Sequence, residues 1–285
     1  MKEALYYEKM PDGSVVCGLC PHGCRIKPGA SGICLARANR GGVLESLAYG
    51  RLAAVHMDPI EKKPLYHFHP GSMILSVGTG GCNLKCAHCQ NWELARTSPE
   101  DLSSSELSPR EALELARRMG SIGIAYTYNE PLMNFEWTLE TSRLLTSANM
   151  KNVLVTNGFI NEKPWREILE YIDAANIDLK AFDDGFYKKI CGARLAPVLR
   201  SIEIMVKSGR HVEVTYLVIP GQNDDPSKVE EAASWLAALD KKIPFHLSRY
   251  FPNYKSSAPP TPMAALEAAK AAAQKHLERV YLGNV

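Results

Sequence analysis

The 285-residue sequence has no apolar run that approaches the ~20 residues needed for a membrane-spanning helix. An integral helical membrane protein is therefore not expected. The opening "MKEALYYEKM" carries Glu3 and Glu8 where an export signal would need unbroken apolar residues, so a cytoplasmic location is expected. Neither charge sign is in excess. Lys and Arg number 33 against 31 Asp and Glu, and the formal charge of +2 gives no broad basic field for nucleic acid or anionic lipid. No internal repeat and no low-complexity linker interrupts the chain, apart from the turn-rich "YKSSAPPTP" at 254–262. Most telling is a missing fourth thiol: "GTGGCNLKCAHCQN", residues 78–91, places Cys82, Cys86 and Cys89 close together with no obvious partner nearby.

What is present is an ordinary globular composition, 46% hydrophobic and 22% charged, at a length that an α/β barrel fills as one unit. From residue 72 onward short β-branched runs alternate with amphipathic helices. Strands are expected near 73–77, 123–128, 152–156, 176–180, 211–219 and 244–249, with a seventh near 279–282. Helices are expected near 131–148, 162–173, 195–208, 226–239 and 262–277. "SPREALELARRMG" predicts a further one: Ser108 caps it, Pro109 suits its first turn, Glu111 completes a capping box and Gly120 ends it. Repeated βα units imply parallel strands with right-handed crossovers, and such sheets bind ligands at the carboxyl ends of their strands. The expected fold is α/β, a partial (β/α)6 parallel barrel over 72–285, preceded by a small cysteine-rich, glycine-rich and irregular module over 1–71.

That rule puts Cys82, Cys86 and Cys89 in the loop after the first strand, at the ligand-binding end. Gly78, Gly80 and Gly81 would let backbone N–H groups approach a bulky anionic group. A tight turn bearing structural zinc is one reading, but structural zinc is closed by four ligands and this run supplies three. An iron–sulfur cube on three thiolates instead leaves one iron free for a ligand that is not protein.

C-x3-C-x2-C after the first strand of a βα series resembles the radical S-adenosylmethionine (SAM) superfamily. The resemblance implies a [4Fe–4S] cluster on Cys82, Cys86 and Cys89 whose open iron is chelated by SAM. Its reductive cleavage yields methionine and a 5′-deoxyadenosyl radical that abstracts hydrogen from the substrate. His88 stands where the family usually has a large aromatic near the adenine. In "YTYNEPL", 126–132, Glu130 and Pro131 match the family's Gly-Gly-Glu-Pro, with Tyr128 and Asn129 in place of the glycines. Read without the resemblance, Glu130 is equally a carboxylate favoured at a helix start. "VTNGF" and "IDLKAFDD" resemble the Thr-Asn-Gly and Asp-Leu-Lys segments of the glycyl-radical activating branch. They imply SAM contacts from Thr156, Asn157, Asp178 and Lys180, beside those of His88, Asn129 and Glu130. Alternation puts Asp178 and Lys180 on one strand face, where a purely structural ion pair is the other reading. Two departures stand near this site: Thr215 replaces an arginine of the activating enzymes, and Val155 an aspartate of their cation site. His246, Arg249 and Tyr250 in "FHLSRYFPNY" are further candidates at the active end, with core packing as the alternative.

The first 71 residues hold a second cysteine set, Cys17, Cys20, Cys24 and Cys34, at C-x2-C-x3-C-x9-C. Four thiolates suit zinc or a second iron–sulfur cluster equally, and either would staple a segment too small to bury a core. Cys191 reads as packing or an unassigned thiol, and His56, His67 and His69 are unassigned. Together with "CQNWE", the amino-terminal segment resembles a narrower group, the AmmeMemoRadiSam-system radical SAM enzymes, homologues of pyruvate formate-lyase activating enzyme. That resemblance implies an electron donor such as flavodoxin or ferredoxin and a substrate that includes, among the options, a protein glycine. A small molecule or RNA is the second option, and a non-enzymatic zinc-stabilised binding module the third.

Overall fold

The computed structural model describes residues 2–285. Its centre is an eight-stranded sheet, and the strands are β1 (Ala54–Pro59), β2 (Met73–Gly78), β3 (Gly123–Tyr126), β4 (Lys151–Thr156), β5 (Ala174–Asp178), β6 (His211–Val218), β7 (Phe245–Arg249) and β8 (Val280–Gly283). They lie side by side in chain order. All pairs from β2 to β8 are parallel, whereas β1 runs antiparallel to β2. Helices α1 (Pro109–Arg118), α2 (Phe135–Ser147), α3 (Glu162–Leu169), α4 (Leu195–Lys207), α5 (Pro226–Asp240) and α6 (Met263–Gln274) make the crossovers. The fold is thus α/β with a mostly parallel sheet, a partial barrel of the expected type. Parallel strands covered on both faces read as continuous apolar runs, and β3 and most of β4 are buried accordingly. No helix among the described residues is long and apolar enough to cross a membrane.

Local chemistry explains the helix starts. The Ser108 hydroxyl accepts from the Glu111 N–H at 3.3 Å while the Glu111 carboxylate accepts from the Ser108 N–H at 2.7 Å, the reciprocal box expected from the sequence. Asp225 caps α5 in a simpler way, through the Ser227 N–H.

The first 50 residues are more regular than their glycine content suggested. Two three-stranded antiparallel sheets of very short strands form there, one from Lys2–Glu3, Val43–Ser46 and Arg37–Arg40, the other from Tyr7–Lys9, Val15–Cys17 and Arg25–Ile26. Their anchor on the barrel is ionic: Arg37, 1% exposed, pairs with the equally buried Glu136 of α2 and donates to the Leu5 carbonyl at 2.8 Å.

Residues 60–68 turn beneath the barrel and fill its floor. Ile60 and Leu65, with Phe68 packed against them, meet Ile74, Ala125, Val153 and Ala174 at the start of β2 to β5. Above them Glu213 of β6, fully buried, accepts from His246 Nε2 at 2.6 Å, from His211 Nε2 at 2.9 Å and from the His67 N–H at 2.8 Å. With this end filled, the carboxyl ends of the strands are left for chemistry.

Candidate functional site

At the end of β2 the chain passes through Gly80 and Gly81 into the cysteine loop. These glycines answer a packing need that the sequence does not show. A Cβ on Gly81, whose φ is +87°, would stand 2.4 Å from the Cys34 carbonyl oxygen, and one on Gly80 would stand 2.8 Å from the Pro99 nitrogen. They let neighbouring chain segments close on the loop. Asn129 locks the same loop, accepting from the Thr79 N–H at 3.1 Å and donating to the Gly81 carbonyl at 2.7 Å.

Cys82, Cys86 and Cys89 lie near enough to raise one another's thiol pKa. For Cys82 and Cys89 burial is the larger cause. For Cys86 the first cause is a hydrogen bond with Cys191, a residue the sequence reading left unassigned. Cys191 is fully buried, and its carbonyl accepts from the Lys85 N–H at 2.8 Å. No spacing signal joins Cys191 to Cys86; the single π-type turn over Tyr187–Cys191 brings them together. Backbone N–H groups two residues on donate to two of the triad sulfurs: Leu84 to Cys82 at 3.4 Å, and Asn91 to Cys89. The Asn157 amide approaches Cys82 Sγ at 3.8 Å. No three His, Cys, Asp or Glu side chains among the described residues converge on one metal-ion position, and all eight cysteines are free.

Glu130, just past β3, is 3% exposed and accepts from the Leu132 N–H at 3.2 Å, the Asn157 N–H at 2.8 Å and the Thr156 hydroxyl at 2.8 Å. Burial outweighs these bonds and pushes its carboxyl up to about 7. Tyr128, in place of a family glycine, takes the left-handed φ of +72° that glycine favours. Its hydroxyl, donating to Asp58 at 2.8 Å, and the Lys63 ammonium over its ring hold it there.

Asp178 and Lys180 form an ion pair at 2.8 Å. The pull of that carboxylate overcomes burial and holds Lys180 above its ordinary value. His88, 4% exposed, tilts over Phe186 and has no hydrogen-bond partner at either ring nitrogen. Burial, with Lys180 as a second cause, pushes it down to about 3, so its ring is neutral. Of the four hydroxyls buried without partners, two lie at the strand ends: Thr79 after β2, and Thr215, which sits opposite Asp178 in the sheet. Buried polar atoms are rarely left unpaired, so these groups mark where a polar ligand would be met.

The last candidates are placed otherwise. His246 is not at the active end; as the second residue of β7 it binds Glu213 above the floor. Arg249 donates to the Thr261 carbonyl at 2.9 Å and the Tyr250 hydroxyl donates to Ser256 at 2.9 Å, so both shape the 250–261 loop. That loop reaches the triad, since the Lys255 N–H donates to the Ala87 carbonyl at 2.9 Å.

Known proteins share this arrangement to different extents. An uncharacterised protein of Methanocaldococcus jannaschii is 42% identical over the whole chain and 86% of its own length. The 4-hydroxyphenylacetate decarboxylase activating enzyme of Clostridium scatologenes is 27% identical over 49% of the chain, which spans about half of that enzyme. Among solved structures, Streptococcus suis SuiB bound to S-adenosylmethionine superposes with a TM-score of 0.58 over 74% of this chain and 52% of its own, at 14% identity, a likeness of fold. The Radical SAM superfamily model matches residues 76–236, which run from β2 into α5 and carry the triad, Glu130 and the Asp178–Lys180 pair. With more than half of its length matched, the chain belongs to the Radical SAM superfamily.

Proposed function

We propose that Cys82, Cys86 and Cys89 hold a [4Fe–4S] cluster, and that His88, Asn129, Glu130, Thr156, Asn157, Asp178 and Lys180 surround SAM bound at its open iron. The observation that carries this reading is a set of three thiols at the end of β2, flanked by a buried carboxylate and by an Asp–Lys pair on neighbouring strand ends. Three thiols suit a cube, which binds each thiolate through a different iron and leaves the fourth iron open, whereas a structural zinc site asks for a fourth protein ligand. N–H donors to Cys82 and Cys89 stabilise thiolates, and the unpaired atoms of Thr79, His88 and Thr215 suit a polar ligand.

When bound and reduced, the cluster supplies the electron that cleaves the SAM sulfonium bond to methionine and a 5′-deoxyadenosyl radical, which takes hydrogen from the substrate. The chain's own residues position and shield. Glu130 accepts best as a carboxylate, and bonds to both of its oxygens, from Asn157, Thr156 and Leu132, hold the group in one orientation. Lys180, charged and only 18% exposed, offers N–H groups to a carboxylate. His88 gives a neutral ring edge with both nitrogens spare.

The narrower reading is an AmmeMemoRadiSam-type enzyme related to pyruvate formate-lyase activating enzyme, working in a reducing cytoplasm with a flavodoxin or ferredoxin donor. A protein glycine is one substrate this reading allows, and the sheet, open because β1 and β8 do not pair, is compatible with it; a small molecule or RNA is the other. The similarity to the Clostridium scatologenes activating enzyme supports the same branch. Thr215 in place of the branch's arginine, and Val155 in place of its aspartate, count against carrying the activating-enzyme role over unmodified.

Anaerobically purified protein should contain iron and acid-labile sulfide and release 5′-deoxyadenosine from SAM under a strong reductant. Alanine at Cys82, Cys86 or Cys89 should abolish that release. Zinc as the sole metal after anaerobic reconstitution would overturn the proposal.

A further inference from the structure

The near balance of charge over the whole chain hides a local excess beside the triad. Residues 85–87 run along the turn that ends at Cys191: the Lys85 N–H donates to the Cys191 carbonyl at 2.8 Å and the Ala87 N–H to the Ile190 carbonyl at 3.3 Å. Gly192 follows, exposed, and a Cβ there would stand 3.6 Å from that of Lys85. The fully buried Cys191, hydrogen-bonded to Cys86, is therefore one residue from solvent-facing backbone. Little of the chain covers this triad ligand.

Four cations stand around that thin wall. Lys85, Lys189 and Arg194 are exposed and Arg200 is half-buried, and among the described residues none of the four has a carboxylate partner. Arg194 and Arg200 reach backbone carbonyls instead, those of Pro21 and Ile160, each at the long distance of 3.4 Å. Arg200 Nε is buried with no partner at all. The acids of this stretch are engaged elsewhere: Asp183 accepts from the Phe186 N–H, and Asp184 pairs with Lys188 at 2.7 Å and accepts from the Leu195 N–H at 2.9 Å. Both arginines line a surface pocket of about 370 Å³ whose lining includes no acidic residue. Guanidiniums at such a wall call for a carboxylate from outside the chain.

We propose that this face, from Lys85 across Lys189 to the pocket of Arg194 and Arg200, docks an acidic electron-carrier protein, and that its electron enters the triad cluster at Cys86. The inference rests on the triad holding a [4Fe–4S] cluster. One electron leaves the reduced carrier and reduces the cluster by one; no atom or proton changes hands. Charge selects the occupant, because a carboxylate of the carrier completes the arginine pocket while the lysines steer its approach. Cys20 of this pocket also lines a cavity with Cys17, Cys24 and Cys34, but at about 10 Å³ that cavity is too small, as its side chains stand, for an iron–sulfur cube. The cluster that this face serves is the triad's.

The test compares two reductants on the full chain, reconstituted anaerobically: dithionite, which needs no docking, and a photoreduced acidic flavodoxin. Stopped-flow bleaching of the cluster by flavodoxin should slow at least about tenfold between about 50 and about 300 mM salt. Lys189→Glu with Arg194→Glu should slow it about tenfold or more at the lower salt, with iron content and dithionite-driven 5′-deoxyadenosine release within about twofold of wild type. Lys207→Glu with Lys242→Glu makes the same change of net charge at the floor end of the barrel and should leave the flavodoxin rate within about twofold. Equal slowing by both pairs, a flavodoxin rate indifferent to salt, or no slowing by the Lys189 and Arg194 changes would each overturn the docking face while leaving the cluster in place. Wild-type protein that takes up no iron, or releases no 5′-deoxyadenosine even with dithionite, would instead sink the triad reading and this inference with it.

Discussion

At the scale of single residues, the positions legible in the sequence are those whose motifs resemble a family's. "YTYNEPL", "VTNGF" and "IDLKAFDD" single out Glu130, Thr156, Asn157 and Asp178 through that resemblance, and the fold brings them together. Cys191 could not be found this way, because only the turn at Tyr187–Cys191 sets it against Cys86. Its contact makes a prediction. A thiol hydrogen-bonded to a cluster ligand raises the cluster's reduction potential, so Cys191→Ala should keep the iron content and make the triad cluster harder to reduce, seen by potentiometric titration. An unchanged potential would mean that Cys191 only packs. Glu130 makes another. Its carboxyl, raised to about 7, is largely protonated at pH 6 in the free protein and ionised at pH 8. The carboxylate is the better acceptor for an amino group, so SAM affinity should rise by up to about tenfold between those values, measured by equilibrium dialysis. Glu130→Gln should flatten that component of the profile.

At the scale of elements, the helices and parallel strands were readable because their apolar periodicity and caps agree, as Ser108 and Glu111 illustrate. Strand β1 was not, since it runs into a segment notable for prolines, lysines and histidines and pairs antiparallel with β2. A strand's direction depends on its partner, which local pattern does not encode. The loop after β2 teaches the same lesson. Its glycines are required by what lies across from them, the Cys34 carbonyl and the Pro99 nitrogen, and both come from distant sequence. Gly81→Ala should therefore be severe, because the left-handed φ and the 2.4 Å approach both forbid a side chain. We expect a loss of thermal stability together with reduced iron at the triad, since the contact displaced is the one between Cys34 and Cys82. Ser108→Ala, by contrast, should cost about 1 kcal/mol and leave iron content intact, by denaturant titration.

At the scale of the whole molecule, the barrel separates a floor from a reactive rim, and Glu213 is the joint. It is buried, with His246 of β7, His211 of its own strand and the His67 N–H of the floor segment all donating to it; Tyr66 adds a backbone N–H. Burial alone would raise its carboxyl, yet the histidine and backbone donors prevail and hold it down to about 2, below its ordinary 4.5. A depressed carboxyl contributes stability that is fully present above the unfolded value and is lost as pH falls through the folded one. The floor should thus loosen between pH 4.5 and about 2, and amide exchange in residues 60–69 should accelerate across that window before the amino-terminal sheets respond. Glu213→Gln removes the titrating group while keeping its size. At pH 7 it should destabilise the protein by about 2 kcal/mol, because a charged acceptor for several donors becomes a neutral one, and it should erase the acid-dependent step in floor exchange. If floor exchange instead tracks the amino-terminal sheets at every pH, the segment under the barrel is held by Ile60, Leu65 and Phe68 alone and the ionic joint is incidental.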